Sequence, residues 1–128
     1  MSREVKTHKV NGLNESLLIN VLDEPGHGGA CHEYQIRKFV RNEDDDVADI
    51  ELCSINFQNG PILEHGVNGV SNEALLAIVK DRLECFQKGK FACTENAGAL
   101  ILVSAAMEAL RKRTIARQAR GVEGTSEA

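Results

Sequence analysis

The chain is poor in aromatic residues. Only 4% of its 128 residues are Phe, Trp or Tyr, and Trp is absent. A hydrophobic fraction of 42% still permits a core, which must then be mostly aliphatic. The length suits one domain and not two. Cys31, Cys53, Cys85 and Cys93 include no pair with the C-x-x-C spacing of a zinc or redox site. No apolar run approaches the roughly 20 residues that a membrane span needs. The opening residues, MSREVKTHKV, lack the apolar core of a signal peptide. The expected setting is therefore a reducing cytosol with free thiols, the cysteines serving as small core hydrophobes. Gly-x-Ser-x-Gly, His-Glu-x-x-His and paired-carboxylate motifs are also missing, so no catalytic residue, cofactor or metal site is assigned. The formal net charge of -4 argues against general binding to DNA or RNA.

What is present is unevenly spread. Glu43, Asp44, Asp45, Asp46, Asp49 and Glu51 form an acidic stretch, and Arg111, Lys112, Arg113, Arg117 and Arg120 a basic one. Residues 1–66 read as strands and turns. Leu17 to Leu22 is a buried-strand candidate ending in the turn Asp23-Glu24-Pro25-Gly26. His32 to Arg41 and Asp49 to Gln58 read as two more strands around a polar hairpin tip, Asn42 to Asp46. Ile50 and Leu52 share one phase, while Ile55 and Phe57 share the other, which implies a bulge between them. Asn59-Gly60 reads as a turn into Pro61 to His65. Three to five antiparallel strands fit this half.

Residues 71–120 read as two helices. Ser71 or Asn72 caps the first, with Leu75, Leu76, Val79, Leu83 and Phe86 at helical spacing and Gly89 as its stop. Thr94 is expected to cap the second, whose apolar stripe is Leu100, Val103, Met107 and Leu110. Gly121 ends it, and residues 121–128 are expected to fray as a tail. The short connection makes an antiparallel hairpin, whose apolar side is expected to lie on the sheet. The predicted fold class is α+β: an N-terminal antiparallel β-sheet followed by a C-terminal antiparallel helical hairpin, in one oligomeric domain spanning 1–128.

Three places could carry chemistry. Arg113, Arg117 and Arg120 point within about 60° or slightly more of Leu110's direction, so the apolar stripe becomes an arginine stripe. Guanidinium forks match phosphate oxygens. The plain alternative is a solvated basic end that complements the helix dipole. Phe86 and Asn96 stand side by side at the hairpin's closed end, where a ring and an amide can hold a base. The alternative there is core packing and capping. The glycine-rich run Gly26-His27-Gly28-Gly29-Ala30-Cys31-His32 has neither a Walker nor a GxGxxG spacing and reads as a turn. His27, His32 and His65 are the only histidines that an enzyme of this chain would draw on, with acids of unassigned position.

The second half then becomes recognisable. Gly69-Val70-Ser71-Asn72-Glu73-Ala74-Leu75-Leu76-Ala77-Ile78-Val79, Phe86-Gln87-Lys88-Gly89, Ala92-Cys93-Thr94-Glu95-Asn96-Ala97 and Arg113-Thr114-x-x-Arg117-Gln118-Ala119-Arg120-Gly121-Val122-Glu123-Gly124-Thr125 resemble a phage hairpin family. This is the first type of Thoeris anti-defence sponge, which shares its hairpin with an anti-CBASS sponge. The resemblance implies binding of cyclic ADP-ribose isomers without cleavage, and of cyclic di- or trinucleotides at separate sites. It implies action in the host cytoplasm, as a homodimer or homohexamer, with no DNA and no membrane as partner. It carries the base-stacking aromatic onto Phe86, the pocket amide onto Asn96 and the phosphate-binding arginines onto Arg113 and Arg117, with Arg120 on the same face. A further arginine near the end of the sheet has no match in Asn59-Gly60-Pro61. Arg113 and Arg117 lie about 25 to 31 Å beyond Asn96 on a helix, so one small ligand cannot touch both ends of one chain. Two other readings remain: a nucleotide phosphodiesterase or hydrolase, and an oligomeric interaction protein built on the hairpin.

Overall fold

The computed structural model describes residues 3–128. Its four strands, β1 (Arg3–Val5), β2 (Leu18–Val21), β3 (Glu33–Arg41) and β4 (Val47–Asn56), form one antiparallel sheet in sequence order. Side chains alternate across a strand, and the register aligns like with like. Ile19 opposes Ile36, which opposes Cys53; Val21 opposes Tyr34, which opposes Ile55. These rows make one apolar face, and Val21 at its centre is fully buried. On the other face Arg37 donates to the Asn20 Oδ1 through Nε at 3.0 Å and Nη2 at 2.7 Å, and pairs with Asp49.

The expected bulge is present. Cys53 faces Ile36 while Glu51 faces Arg37, which leaves Leu52 as the extra residue of β4. This slip lets Ile50 and Ile55 both serve the apolar side despite their odd spacing. The tip between β3 and β4 also closes as its composition implies. Asn42 Oδ1 accepts from the backbone N–H of Asp44 at 3.0 Å and of Asp46 at 2.9 Å, and Asp45 takes a φ of 65°. Asn and Asp turn chemistry of this kind needs no packing to hold it.

Among the described residues there are also four α-helices: α1 (Gly12–Ser16), α2 (Ile62–His65), α3 (Asn72–Gln87) and α4 (Thr94–Ala119). Neither short helix was anticipated. Asn11 caps α1 through a 2.9 Å bond from the Asn14 N–H. Pro61 to His65 continues no sheet, because Pro61 starts a single helical turn that Gly66 stops at a φ of 67°. The residues cluster into two compact units, one running to Gly60 and including Val67–Gly69, the other Pro61–Gly66 with Val70–Ala128. Residues 61–66 therefore belong with the hairpin and not with the strands. Only Cys31 of the four cysteines is buried, so the expectation that all four are core residues fails for Cys53, Cys85 and Cys93.

Two interactions brace the sheet unit. Asp23 accepts the His32 N–H at 2.9 Å and the Glu33 N–H at 3.1 Å, which fixes the glycine-rich turn against the start of β3. Desolvation pushes this carboxyl upward, but those two N–H donors and the nearby imidazole of His32 outweigh it and leave its pKa below the ordinary value. Gly69 passes so close to β4's end that an added Cβ would lie 2.5 Å from the Phe57 carbonyl carbon. Backbone cannot yield as a flexible side chain can, so Gly69→Ala should destabilise by about 1–3 kcal/mol, the range for overpacking, read as a lowered denaturation midpoint. A carboxyl held below its ordinary value stabilises the fold above that value and ceases to as it protonates. The stability gap between the wild type and Asp23→Asn should therefore be full above pH 3.8 and close as pH falls further, in urea melts across that range.

Candidate functional site

The hairpin unit holds every residue that the sequence puts forward for binding. Ser71 caps α3, with the Ala74 N–H donating to its Oγ at 3.1 Å. The cap of α4 lies one residue before Thr94. Cys93 is extended at φ -155° and ψ 164°, and its Sγ accepts the Asn96 N–H at 3.4 Å. Thr94 is already helical. Helices α3 and α4 pack against each other. The half-buried side chains include Leu75, Leu76 and Leu83 on α3 and Leu100, Val103, Met107 and Leu110 on α4. The burial expected for the rest of the hairpin's apolar side is not found. Val79 and Phe86 of the predicted stripe are exposed and no residue of α3 is buried, while Ile78, Ile101 and Leu102, outside the predicted stripes, are 60%, 68% and 71% exposed.

At the closed end, Gln87 ties the connection across both ways. Its Nε2 donates to the Cys93 carbonyl at 3.2 Å, and its Oε1 accepts the Cys93 N–H at 3.1 Å. The clamp holds the end of α3 beside the start of α4, so Phe86 and Asn96 share that end as expected. Phe86 is 38% exposed rather than packed away. The guanidinium of Arg82 sits 5.5 Å from its ring centroid, one helical turn earlier. Asn96 Nδ2 makes a single long bond to the Phe91 carbonyl, at 3.5 Å. A part-exposed ring and a half-buried amide with one long bond thus share this end. Arg82 and Gln87 were missed in the sequence. Arg82 had a signal in its four-residue spacing from Phe86, whereas nothing in composition marks Gln87 as a clamp.

The far end of α4 treats its three arginines differently. Arg113 and Arg120 are exposed, and their side chains have no ion pair or hydrogen bond among the described residues. Arg117 is 8% exposed and is the only buried residue of α4. Its Nε donates to Glu123 Oε2 at 3.1 Å, Nη1 to the Glu127 carbonyl at 2.6 Å, and Nη2 to the carbonyls of Val122 at 2.9 Å and Thr125 at 3.3 Å. The segment expected to fray is therefore folded against it. Residues 94–119 form one uninterrupted helix, so Asn96 and Arg113 are held about 25 Å apart.

The other candidate residues lie apart. His27 belongs to the short 3₁₀ turn before β3, where Gly28 and Gly29 take φ values of 76° and 81°. His32 is buried with Nδ1 3.8 Å from Asp23, while His65 is exposed beside Glu64. In the sheet unit, His32, Glu33, Asn56, Phe57, Asn59 and Asn68 line an open cavity of about 290 Å³. The Asn68 amide there is already engaged, accepting from the Asn59 N–H and donating to the Asn59 carbonyl, both at 2.8 Å. Among the described residues no three His, Cys, Asp or Glu side chains group to hold a metal ion, and no helix is long and apolar enough to cross a membrane.

A family model described as the Acb2/Tad1 hairpin domain matches residues 49–114. That stretch runs from β4 to just short of Arg117. The chain is also 43% identical over 102 residues to Thoeris anti-defense 1 of Bacillus phage SBSphiJ7. The match covers 80% of this chain and 66% of that relative, so the chain spans just under two thirds of the relative's length.

Proposed function

Because the chain belongs to the Acb2/Tad1 hairpin family, we propose that it is a phage anti-defence sponge that captures a cyclic ADP-ribose isomer without cleaving it. The relative's name places that protein in anti-defence against Thoeris, and the same target is proposed here. Phe86 stacks on the adenine, Asn96 hydrogen-bonds its edge, and Arg113 and Arg120 meet the pyrophosphate. Arg117, carried over as a further phosphate ligand, reaches a phosphate only by giving up its bonds to residues 122–127. The chemistry of this set favours holding over cutting. A phenyl ring and an amide take up no proton near neutral pH, and arginine remains protonated. None of them can serve as the general base that hydrolysis requires.

One observation carries the reading: Asn96, clamped at the Phe86 end of the hairpin, and the free Arg113 stand near opposite ends of one uninterrupted helix. A single nucleotide bridges them only if Phe86 and Asn96 of one protomer meet Arg113 of another. Antiparallel pairing about a two-fold axis supplies two equal pockets. The minimum assembly is then a homodimer, and a homohexamer is built from such pairs. The exposed Ile78, Ile101 and Leu102 offer the apolar surface that such pairing covers. Cyclic di- and trinucleotides, the signals of CBASS, are the further ligands proposed for the same protein at other sites.

Mixing two defective variants tests the shared pocket. Phe86→Ala and Arg113→Gln should each bind poorly, Arg113→Gln by on the order of 1.5–3 kcal/mol, the worth of a charge-assisted hydrogen bond. Refolding them together should restore one intact pocket in each mixed pair, seen by native mass spectrometry with a panel of cyclic ADP-ribose isomers and cyclic oligonucleotides. No recovery on mixing overturns the shared pocket. Heating the complex should release the ligand intact, and a hydrolysed product would instead identify an enzyme.

A further inference from the structure

The end of α4 is built with more care than a basic tail needs. Gly121, at a φ of 74°, donates to the Gln118 carbonyl at 3.0 Å, and Val122 donates to the Arg117 carbonyl at 3.0 Å. This paired closure is a Schellman motif. It turns the chain back along the helix, where Thr125 makes the next turn. The Thr125 N–H reaches the Val122 carbonyl at 3.1 Å, and Thr125 Oγ1 accepts the Glu127 N–H at 3.2 Å. Gly124 meets α2: the Leu63 N–H donates to its carbonyl at 3.2 Å, and a Cβ at Gly124 would lie 3.1 Å from Ile62. Residues 122–127 form a strap with its own turns and its own anchor.

Arg117 is the centre of that strap. A buried guanidinium is costly unless its donors are satisfied, and three backbone carbonyls and one carboxylate satisfy this one. On a helix Arg117 points within about 40° of Arg113 and about 60° of Arg120, and it lies between them along the axis. Arg113 and Arg120 themselves lie within about 20° of one direction, so the strap that covers Arg117 flanks the row that the two free guanidiniums make. We infer that Arg117 is a positioning residue, which acts on the nucleotide by fixing the C-terminal strap as the wall of the phosphate subsite, and that direct phosphate contact falls to Arg113 and Arg120. The inference rests on the proposed capture of a phosphate-bearing nucleotide at this end of α4.

The test separates contact from positioning. A direct phosphate contact keeps much of its value in Arg117→Lys, since an ammonium still attracts a phosphate. A positioning residue does not, because three ammonium donors in a different geometry cannot replace the fork. Arg117→Lys and Arg117→Gln should therefore weaken binding of a cyclic ADP-ribose isomer equally, on the order of tenfold or more. Thr125→Val, which leaves Arg117 in place, should also weaken it, and Arg117→Gln with Thr125→Val should be no weaker than Arg117→Gln alone. The salt dependence of binding should flatten in Arg113→Gln and stay as in the wild type in Arg117→Gln. Rescue by lysine, additive losses, or a flattened salt dependence in Arg117→Gln overturns the inference.

Hydrogen exchange gives a readout free of ligand. In Arg117→Gln the amides of Val122, Thr125 and Glu127 should lose protection while those of α4 up to Leu110 keep theirs; unchanged strap protection overturns the positioning role. Should Arg117→Gln fail to fold, Thr125→Val carries the same comparison. A wild type that binds no cyclic nucleotide overturns both the capture reading and the strap's service to a ligand. In that case exchange still decides whether Arg117 holds the strap.

Discussion

The continuity of α4 governs the rest of the candidate site. A helix of 26 residues from Thr94 to Ala119 spans about 39 Å. It contains no proline, and its one internal glycine, Gly98, stays helical. Both ends are closed: Cys93 and the Gln87 clamp hold the first turn, and the Schellman closure at Gly121 holds the last. Small residues along its length let α3 pack beside it over part of the span, and α3's shorter length leaves the arginine end to the strap and α2. A rigid spacer of this kind fixes which side chains can meet without further contacts. It separates Phe86 and Asn96 from Arg113 within one chain, which turns a property of one helix into a constraint on assembly.

Much of the fold was legible because its signals are local. The change of phase between Leu52 and Ile55 marked the bulge, since a strand's period of two leaves no other way to keep Ile50 and Ile55 on one face. Asn42 and Asp45 marked the hairpin tip, because their side chains and positive-φ tolerance make the turn themselves. Gly121 marked the end of α4 for the same reason. Pro61 to His65 misled because a short apolar run after Asn-Gly suits a strand as well as a helical turn. Only Pro61 at the start distinguishes the two. The cap of α4 shifted from Thr94 to Cys93 because capping follows the extended backbone at 93, and thiols are seldom weighed as acceptors.

The candidate site was legible in its directions and less so in its partners. Helical arithmetic placed Arg113, Arg117 and Arg120 on one face, and the structure keeps Arg113 and Arg117 on one continuous helix with Arg120 as its C-cap. It could not say what each guanidinium would meet. Arg117's partners are mostly carbonyls, and a carbonyl carries no residue identity to read in a sequence. The side-chain signal was Glu123, six residues on, which looks like any surface acid until Gly121 turns the chain back. The fraying expected of a terminal segment is the default when its hydrogen bonds are unknown. Here four of them run to one buried cation.

On the proposed reading, capture without turnover places a particular demand on charge. A sponge gains from tight binding of a dianionic pyrophosphate, yet a cluster of three free arginines on one face would repel itself in the empty state. Burying the middle charge and neutralising it with Glu123 and carbonyl dipoles reduces that repulsion. It leaves two guanidiniums free, in one row along the helix, for the two phosphates. The neutralisation does not have to be undone on binding, so none of the affinity is spent on breaking the strap. On this reading the acid at 123 and the arginine at 117 work as a pair. They hold the flank of the Arg113–Arg120 row, while α4 itself sets the spacing of that row and its distance from the aromatic end.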